Sequence, residues 1–321
     1  MPFLGWSAFG QGTLTPPGAP APTMKSLDQV EPRTPISSLP YTISTSGSYY
    51  LTKSLTVPDD GTLAITVAAD NVTIDLCGFS ITATGSTSSV SGISAPNSQK
   101  NLCVRNGSLN GWGDSGILAG VVTGGLYEGL FFSNNQRLGL LSGPGSTVRD
   151  CEARGNNLGG LDCGISSVVV HCTAMNNSNT GITCVQGTLV DCVSNNNTGI
   201  GITIFRGVVR GCTVSQNSVT GINVVDGSLV AGNTCFQNDS SSAGQGGGMV
   251  VTGTGNRIES NNFVGNLVAG LQVTSTQNLI IGNSFNGAQY IIASGNTIGP
   301  FVNMTGGGVI PSSNPWANFA Y

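Results

Sequence analysis

Charge is scarce in this chain. Only 8% of its 321 residues are ionic, and 15 acidic against 11 basic side chains leave a net charge of −4 and a pI near 4.8. Such a balance offers phosphate backbones no attracting field, so nucleic acid is excluded as a partner. Aromatic residues are 6% and there is a single histidine. No apolar run approaches the roughly eighteen residues that a bilayer-spanning helix needs, so no transmembrane helix is expected. The opening MPFLGWSAFG is apolar, but it has no basic start and is short for a signal peptide. The nine cysteines form no CxxC pair, and His171 beside Cys172 is not a zinc-ligand spacing, so no metal site built on cysteine is expected.

What is present is 39% apolar residues and 48 glycines. Low net charge with that much apolar surface excludes disorder and calls for a packed core. The packing is legible in a repeat. Cys151, Cys172, Cys192 and Cys212 recur every 20 or 21 residues, Asn156, Asn177, Asn197 and Asn217 each follow five residues later, and Gly160, Gly181, Gly201 and Gly221 four after that. The N-x3-G part continues at Asn135–Gly139 and at Asn266–Gly270, where Asn261 takes the cysteine position. A period of about twenty residues signals a solenoid. The residue after each glycine is apolar (Leu140, Leu161, Ile182, Ile202, Ile222), as is the third residue before each cysteine (Val148, Val169, Leu189, Val209). These positions are expected to face inward. Short Val, Ile and Thr runs between Gly and Asn predict three brief strands per coil and exclude helical repeats. The fold predicted is all-β, a parallel β-helix of about a dozen coils.

In such a stack like residues lie about 4.8 Å apart and form ladders. The asparagines are expected at bends, tolerating left-handed backbone and bonding their amides to one another; the glycines are expected to supply positive φ at the next corner. The cysteines, with Cys163 and Cys184 as a second short ladder, are expected to act as small buried hydrophobes rather than disulfides. Residues 1–46 read as an extended proline-rich arm, with a helical turn in KSLDQVEPRTPIS before Pro32; residues 47–310 as the β-helix; residues 311–321 as a tail, with arm and tail capping the ends. The segment NDSSSAGQGGG widens one coil into a corner loop, read as a spacer.

The strings GSYYLTKSLTV, NVTIDLCGFSI and KNLCVRNGSLNGWGDSGI, followed by the C-x4-N-x3-G coils, resemble bacterial secreted right-handed parallel β-helix repeat proteins, the pectin-lyase-like superfamily, over residues 47 to about 300. The resemblance implies a right-handed coil and an extracellular or cell-surface setting. It is weak for activity, because that scaffold hosts lyases, hydrolases, epimerases, tailspikes and adhesins. Its lyases need a basic residue with calcium-binding carboxylates, and its hydrolases carry an Arg-x-Lys motif that this sequence lacks.

One cluster could carry chemistry. Asp150, His171 and Asp191 precede the ladder cysteines in three successive coils, which sets the histidine between two carboxylates as a candidate catalytic acid or base. Arg149, Glu152, Arg154 and Arg210 share that flank and, with Trp112, are the candidate carbohydrate-binding residues; Tyr127 and Phe205 are further aromatic candidates. The competing account is an exposed ladder of alternating charge. No cofactor is expected, although Asp59, Asp60, Asp70 and Asp75 could hold calcium. Val170, Val190 and Ala231 are expected to form an outward apolar stripe. The expected function is a non-catalytic extracellular or cell-surface scaffold or adhesin that binds polysaccharide and self-associates, in the manner of a homotrimer. The alternative is a polysaccharide lyase or glycoside hydrolase acting on an acidic polysaccharide.

Overall fold

The computed structural model describes residues 1–3, 5, 31–58, 61–84, 89–239, 246–287, 289–311 and 313–321. They divide into two units, 1–33 and 34–321. In the first, Arg33 binds Glu31 through two nitrogens at 2.7 and 2.8 Å. The expected helical turn before Pro32 and the tip of the widened corner loop lie outside the described residues.

The second unit is a stack of coils. Every named element is a strand, and the strands form one 24-stranded and one 12-stranded parallel sheet. A typical coil runs through Thr147–Arg149, Glu152–Arg154 and Gly159–Cys163, each pairing with its counterpart in the next coil, Val168–Val170, Thr173–Met175 and Thr180–Val185. The inward positions are as expected: Leu140, Leu161, Ile182, Ile202 and Ile222 are no more than 1% exposed, and Val148, Val169, Leu189 and Val209 are fully covered. Each such side chain contributes roughly 1.5–3 kcal/mol by leaving water. The strand ladder begins at Thr34–Ile36, paired with Gly47–Leu51, and reaches Asn318–Ala320, which pairs with Ser284–Asn286. Coil structure therefore extends into the segments that the sequence reading assigns to arm and tail.

Each coil turns at three corners, and each corner is a residue in left-handed backbone followed by an inward small or polar one. At the first corner the left-handed residues are Asn134, Gly155, Asn176, Asn196, Gln216, Gln237 and Gly265, with φ between 51° and 65°. The buried asparagines follow them directly. This corrects the expectation that the ladder asparagines themselves bend the chain. Freed from that duty, each of Asn135, Asn156, Asn177, Asn197, Asn217 and Asn238 donates its side-chain amide to the next Oδ1 at 2.9–3.2 Å, and its backbone N–H to the same oxygen at 2.9–3.1 Å. Trp112 opens the ladder through its backbone N–H on Asn135 Oδ1 at 3.1 Å.

The glycines of the repeat are not positive-φ residues either. A Cβ on Gly160 would lie 2.6 Å from the Gly181 carbonyl and 3.0 Å from Asn177 Nδ2, so the position is reserved for want of space.

The cysteine column sits at another corner. Cys151, Cys172, Cys192 and Cys212 are no more than 2% exposed, and their thiols point at backbone carbonyls such as Arg149 O, Val170 O and Val190 O, 3.2–3.3 Å away. Past Cys212 the column becomes a second amide ladder, Asn233–Asn261–Asn283–Asn318, with spacings of 3.0–3.1 Å. The third corner holds Ser146, Ser167 and Ser228 and ends in Asn256, Asn278 and Asn296. None of the nine cysteines is in a disulfide, and seven are buried. Burial pushes Cys163 and Cys235 well above the ordinary thiol range and Cys184 up to about 12, which fits small hydrophobes rather than nucleophiles.

Candidate functional site

Asp150, His171 and Asp191 occupy the left-handed bend before the cysteine column, at φ 54°, 53° and 52°. Asp and His are among the non-glycine types that accept this conformation, and the same column continues as Gly211, Gly232, Ser260 and Gly282. The backbone alone therefore explains these residue types. The row still comes together: His171 Nδ1 lies 3.6 Å from Asp150 Oδ1 and Nε2 3.9 Å from Asp191 Oδ2, with all three side chains more than half exposed.

Beside it runs the outward column Asp75, Arg105, Glu128, Arg149, paired in register across four coils. Arg105 binds Asp75 at 3.0 Å and Arg149 binds Glu128 at 2.7 Å. Burial raises the Asp75 carboxyl, but the Cys77 N–H, the Asn106 amide and Arg105 outweigh it and leave the group below its usual range. Alternating sign is what cross-strand pairing favours. Arg154 is exposed between Ser133 and Met175, Glu152 is half-buried between Phe131 and Thr173, and Arg210 is exposed between Val190 and Ala231. The structure therefore spreads the candidate carbohydrate-binding residues over several columns.

Trp112 is removed from that set. It is 1% exposed, and its indole N–H donates to Ile81 O at 3.3 Å inside the core, so no sugar can reach the ring. Tyr127 is equally buried. Phe205 is half-buried with the Arg206 guanidinium 4.7 Å from its ring centre. Of the acidic group, Asp59 and Asp60 lie outside the described residues, Asp70 accepts the Lys100 N–H at 2.9 Å as a turn residue, and Asp75 is committed as above. Among the described residues, no three His, Cys, Asp or Glu side chains form a metal cage. Ala231 is buried, so the outward apolar patch consists of Val168, Val170, Val190, Val208 and Leu229 instead.

Two grooves carry chemistry that the sequence did not single out. One, of about 340 Å³, is lined by Arg257, Leu279, Ile281, Ile298 and Asn314 beneath Trp316, whose side chain is 54% exposed. The Trp316 backbone N–H is held by Asn314 Oδ1 at 2.9 Å, and Arg257 pairs with Glu259. The other, of about 250 Å³, opens on the 12-stranded sheet and is lined by residues that include Leu138, Gly159 and Thr180. Its wall includes Asp162, whose carboxyl burial raises above the usual range.

A profile of the family described as right handed beta helix region matches residues 64–234, more than half of the chain. The chain belongs to that family. In a search of curated proteins, none matches this β-helix. Among solved structures it is similar to the Dettilon tailspike protein, with a TM-score of 0.64 at 16% identity over 81% of this chain and 61% of that one. It is also similar to the A-module of the mannuronan C-5 epimerase AlgE4 of Azotobacter vinelandii (TM-score 0.57, 16% identity, 78% of this chain and 90% of that one). A double mutant of the periplasmic alginate epimerase AlgG gives 0.55 at 13% identity over 87% and 75%. This β-helix thus spans about three fifths of the tailspike's length. At these identities the likeness is one of fold.

Sequence reasoning passed over Trp316 because its segment breaks the repeat and reads as a tail. It passed over Asp162 because a lone aspartate between two inward apolar positions carries no motif. The signal was positional, since Asp162 follows the inward Leu161 and must point outward.

Proposed function

We propose that this right-handed β-helix is an extracellular or cell-surface scaffold that binds polysaccharide and self-associates without turning its ligand over. The observation that carries this reading is the Trp316 groove. An exposed indole beside an arginine and an asparagine amide supplies an apolar face for a sugar ring and polar groups to fix its hydroxyls. Two of the fold neighbours, named as a mannuronan C-5 epimerase and an alginate epimerase, agree with a polysaccharide as the ligand. Incubation with a panel of neutral and acidic polysaccharides tests it: retention is expected for the native chain, and Trp316→Ala should bind about tenfold more weakly, roughly 1.4 kcal/mol, with unchanged stability. Retention unaffected by that substitution would remove the groove from the account.

A second reading, a polysaccharide lyase or glycoside hydrolase, is favoured by one geometric fact, the two carboxylates within 4 Å of His171. The same incubation reads it, through unsaturated products or new reducing ends.

Self-association rests on Val168, Val208 and Leu229 in one outward column, with Thr188 between the two valines, and on Val170 and Val190 in a second that continues to Arg210, with Val168 41% exposed. An outward face this apolar is what a neighbouring copy would cover. Sedimentation equilibrium is expected to show a trimer, and a monomer at high concentration would exclude it.

A further inference from the structure

A third surface feature lies at the first corner, outside both grooves described above. Gln216 and Gln237 occupy its left-handed bend in successive coils, at φ 55° and 51°, and Asn196 precedes them at 53°. Glutamine gains nothing from this backbone, and the same column takes glycine at Gly155 and Gly265, so the bend itself does not call for long amides. What these residues do share is a groove of about 590 Å³, lined by Asn195, Asn196, Gln216, Gln237 and Leu267 with no ionic side chain.

We infer that this corner groove is a binding site for an uncharged glycan lying along the solenoid axis, an inference that rests on the polysaccharide-binding reading and names its ligand class.

Four physical points carry it. Each carboxamide offers one acceptor and two donors, which matches hydroxyl groups that both donate and accept. The amides are partly ordered before any ligand arrives: Asn195 Nδ2 donates to Gln216 Oε1 at 3.1 Å and to Ser215 Oγ at 2.9 Å, and Asn196 Nδ2 donates to Asn176 Oδ1 at 2.6 Å. That arrangement holds Gln216 Oε1 and leaves its Nε2 protons for a ligand, and ordering of this kind lowers the entropy lost on binding. Successive coils repeat at about 4.8 Å, close to the length of one pyranose unit, so a glycan along the axis meets an amide at each sugar. Leu267, 59% exposed, and Phe236, 37% exposed on the outward column that continues from Asn195 and Ser215, give apolar surface for the carbon–hydrogen faces of the rings. An acidic glycan would surrender hydration of its carboxylates here and find no cation in return.

The test uses the full chain, with a β-glucan and a mannan as neutral probes and alginate and polygalacturonate as acidic ones, at low and high salt. Tight binding of a neutral probe, independent of salt, is expected. The double substitution Gln216→Gly, Gln237→Gly should weaken it about tenfold while the melting temperature holds or rises, since glycine suits the left-handed bend. Leu267→Ala, at a residue 59% exposed, should weaken it severalfold with little change in melting. The inference is overturned if both variants bind neutral glycan as the native chain does, or if the native chain binds only acidic probes and releases them in salt; the polysaccharide-binding reading survives either result. Failure of the native chain to bind any probe would end both.

Discussion

Alanine at Gly181 is expected to cost this β-helix about 3 kcal/mol, a large share of the stability of a folded domain. The added Cβ would stand 2.6 Å from the Gly201 carbonyl and 2.8 Å from Asn197 Nδ2, and closer still to Ser194 Oγ. None of the three can step aside. The carbonyl belongs to the next coil and accepts the Ser194 hydroxyl at 2.7 Å, and Asn197 Nδ2 donates to both Ser194 Oγ and Asn217 Oδ1. The cost is one of space, because Gly181 is not a left-handed residue. Gly232 provides the contrast: its φ is 64° but nothing lies within 4 Å of its Cβ position, so Gly232→Ala should cost only about 1 kcal/mol of backbone strain. Denaturant midpoints of the two variants measure the difference, and equal shifts would refute the crowding account.

Asn177→Ala should destabilise by a similar amount, about 3–5 kcal/mol, for a different reason. Asn177 Oδ1 accepts the backbone and side-chain N–H groups of Asn156 at 3.0 and 2.9 Å, and Nδ2 donates to Asn197 Oδ1 at 2.9 Å and to Ala153 O at 3.1 Å. Truncation strands two donors of Asn156 and weakens two acceptors, all where water does not reach. Asn157, its exposed neighbour on the previous coil, bonds only Gln136 through its side chain, and Asn157→Ala should shift stability by no more than about 0.5 kcal/mol. Comparable losses for the two variants in thermal or chemical melts would show that the buried ladder is not what holds the coils in register.

The period, the inward positions and the parallel stack were legible because Cys151, Asn156 and Gly160 recur with their neighbours at fixed offsets, and only an unbroken stack makes use of that. The division of labour at each corner was not. Asn176 and Asn177 are the same residue type side by side, one bending the chain and the other bonding the next coil, and nothing local tells them apart. The change from Cys212 to Asn233 in one column hid the second amide ladder, because a thiol and an amide share no sequence signature while filling equivalent space. The row at His171 was found from spacing alone, and the sequence could not reveal that its aspartates also answer a backbone demand. Trp112 departs from its expected exposure for a similar reason: burial depends on which residues stack above and below, and Trp112 takes a ladder position in the core, while Trp316, in the tail, lines a groove.

The ladders have a consequence for how such a chain can vary. Each rung asks only for a twin on either side, so length is a free parameter: whole turns can be duplicated or excised, and the flanking amides meet again as before. A single inserted residue within a turn has no such freedom, because it throws every later side chain to the wrong wall. Natural variants of this molecule should therefore differ in length by complete turns, or by bulges confined to its corners.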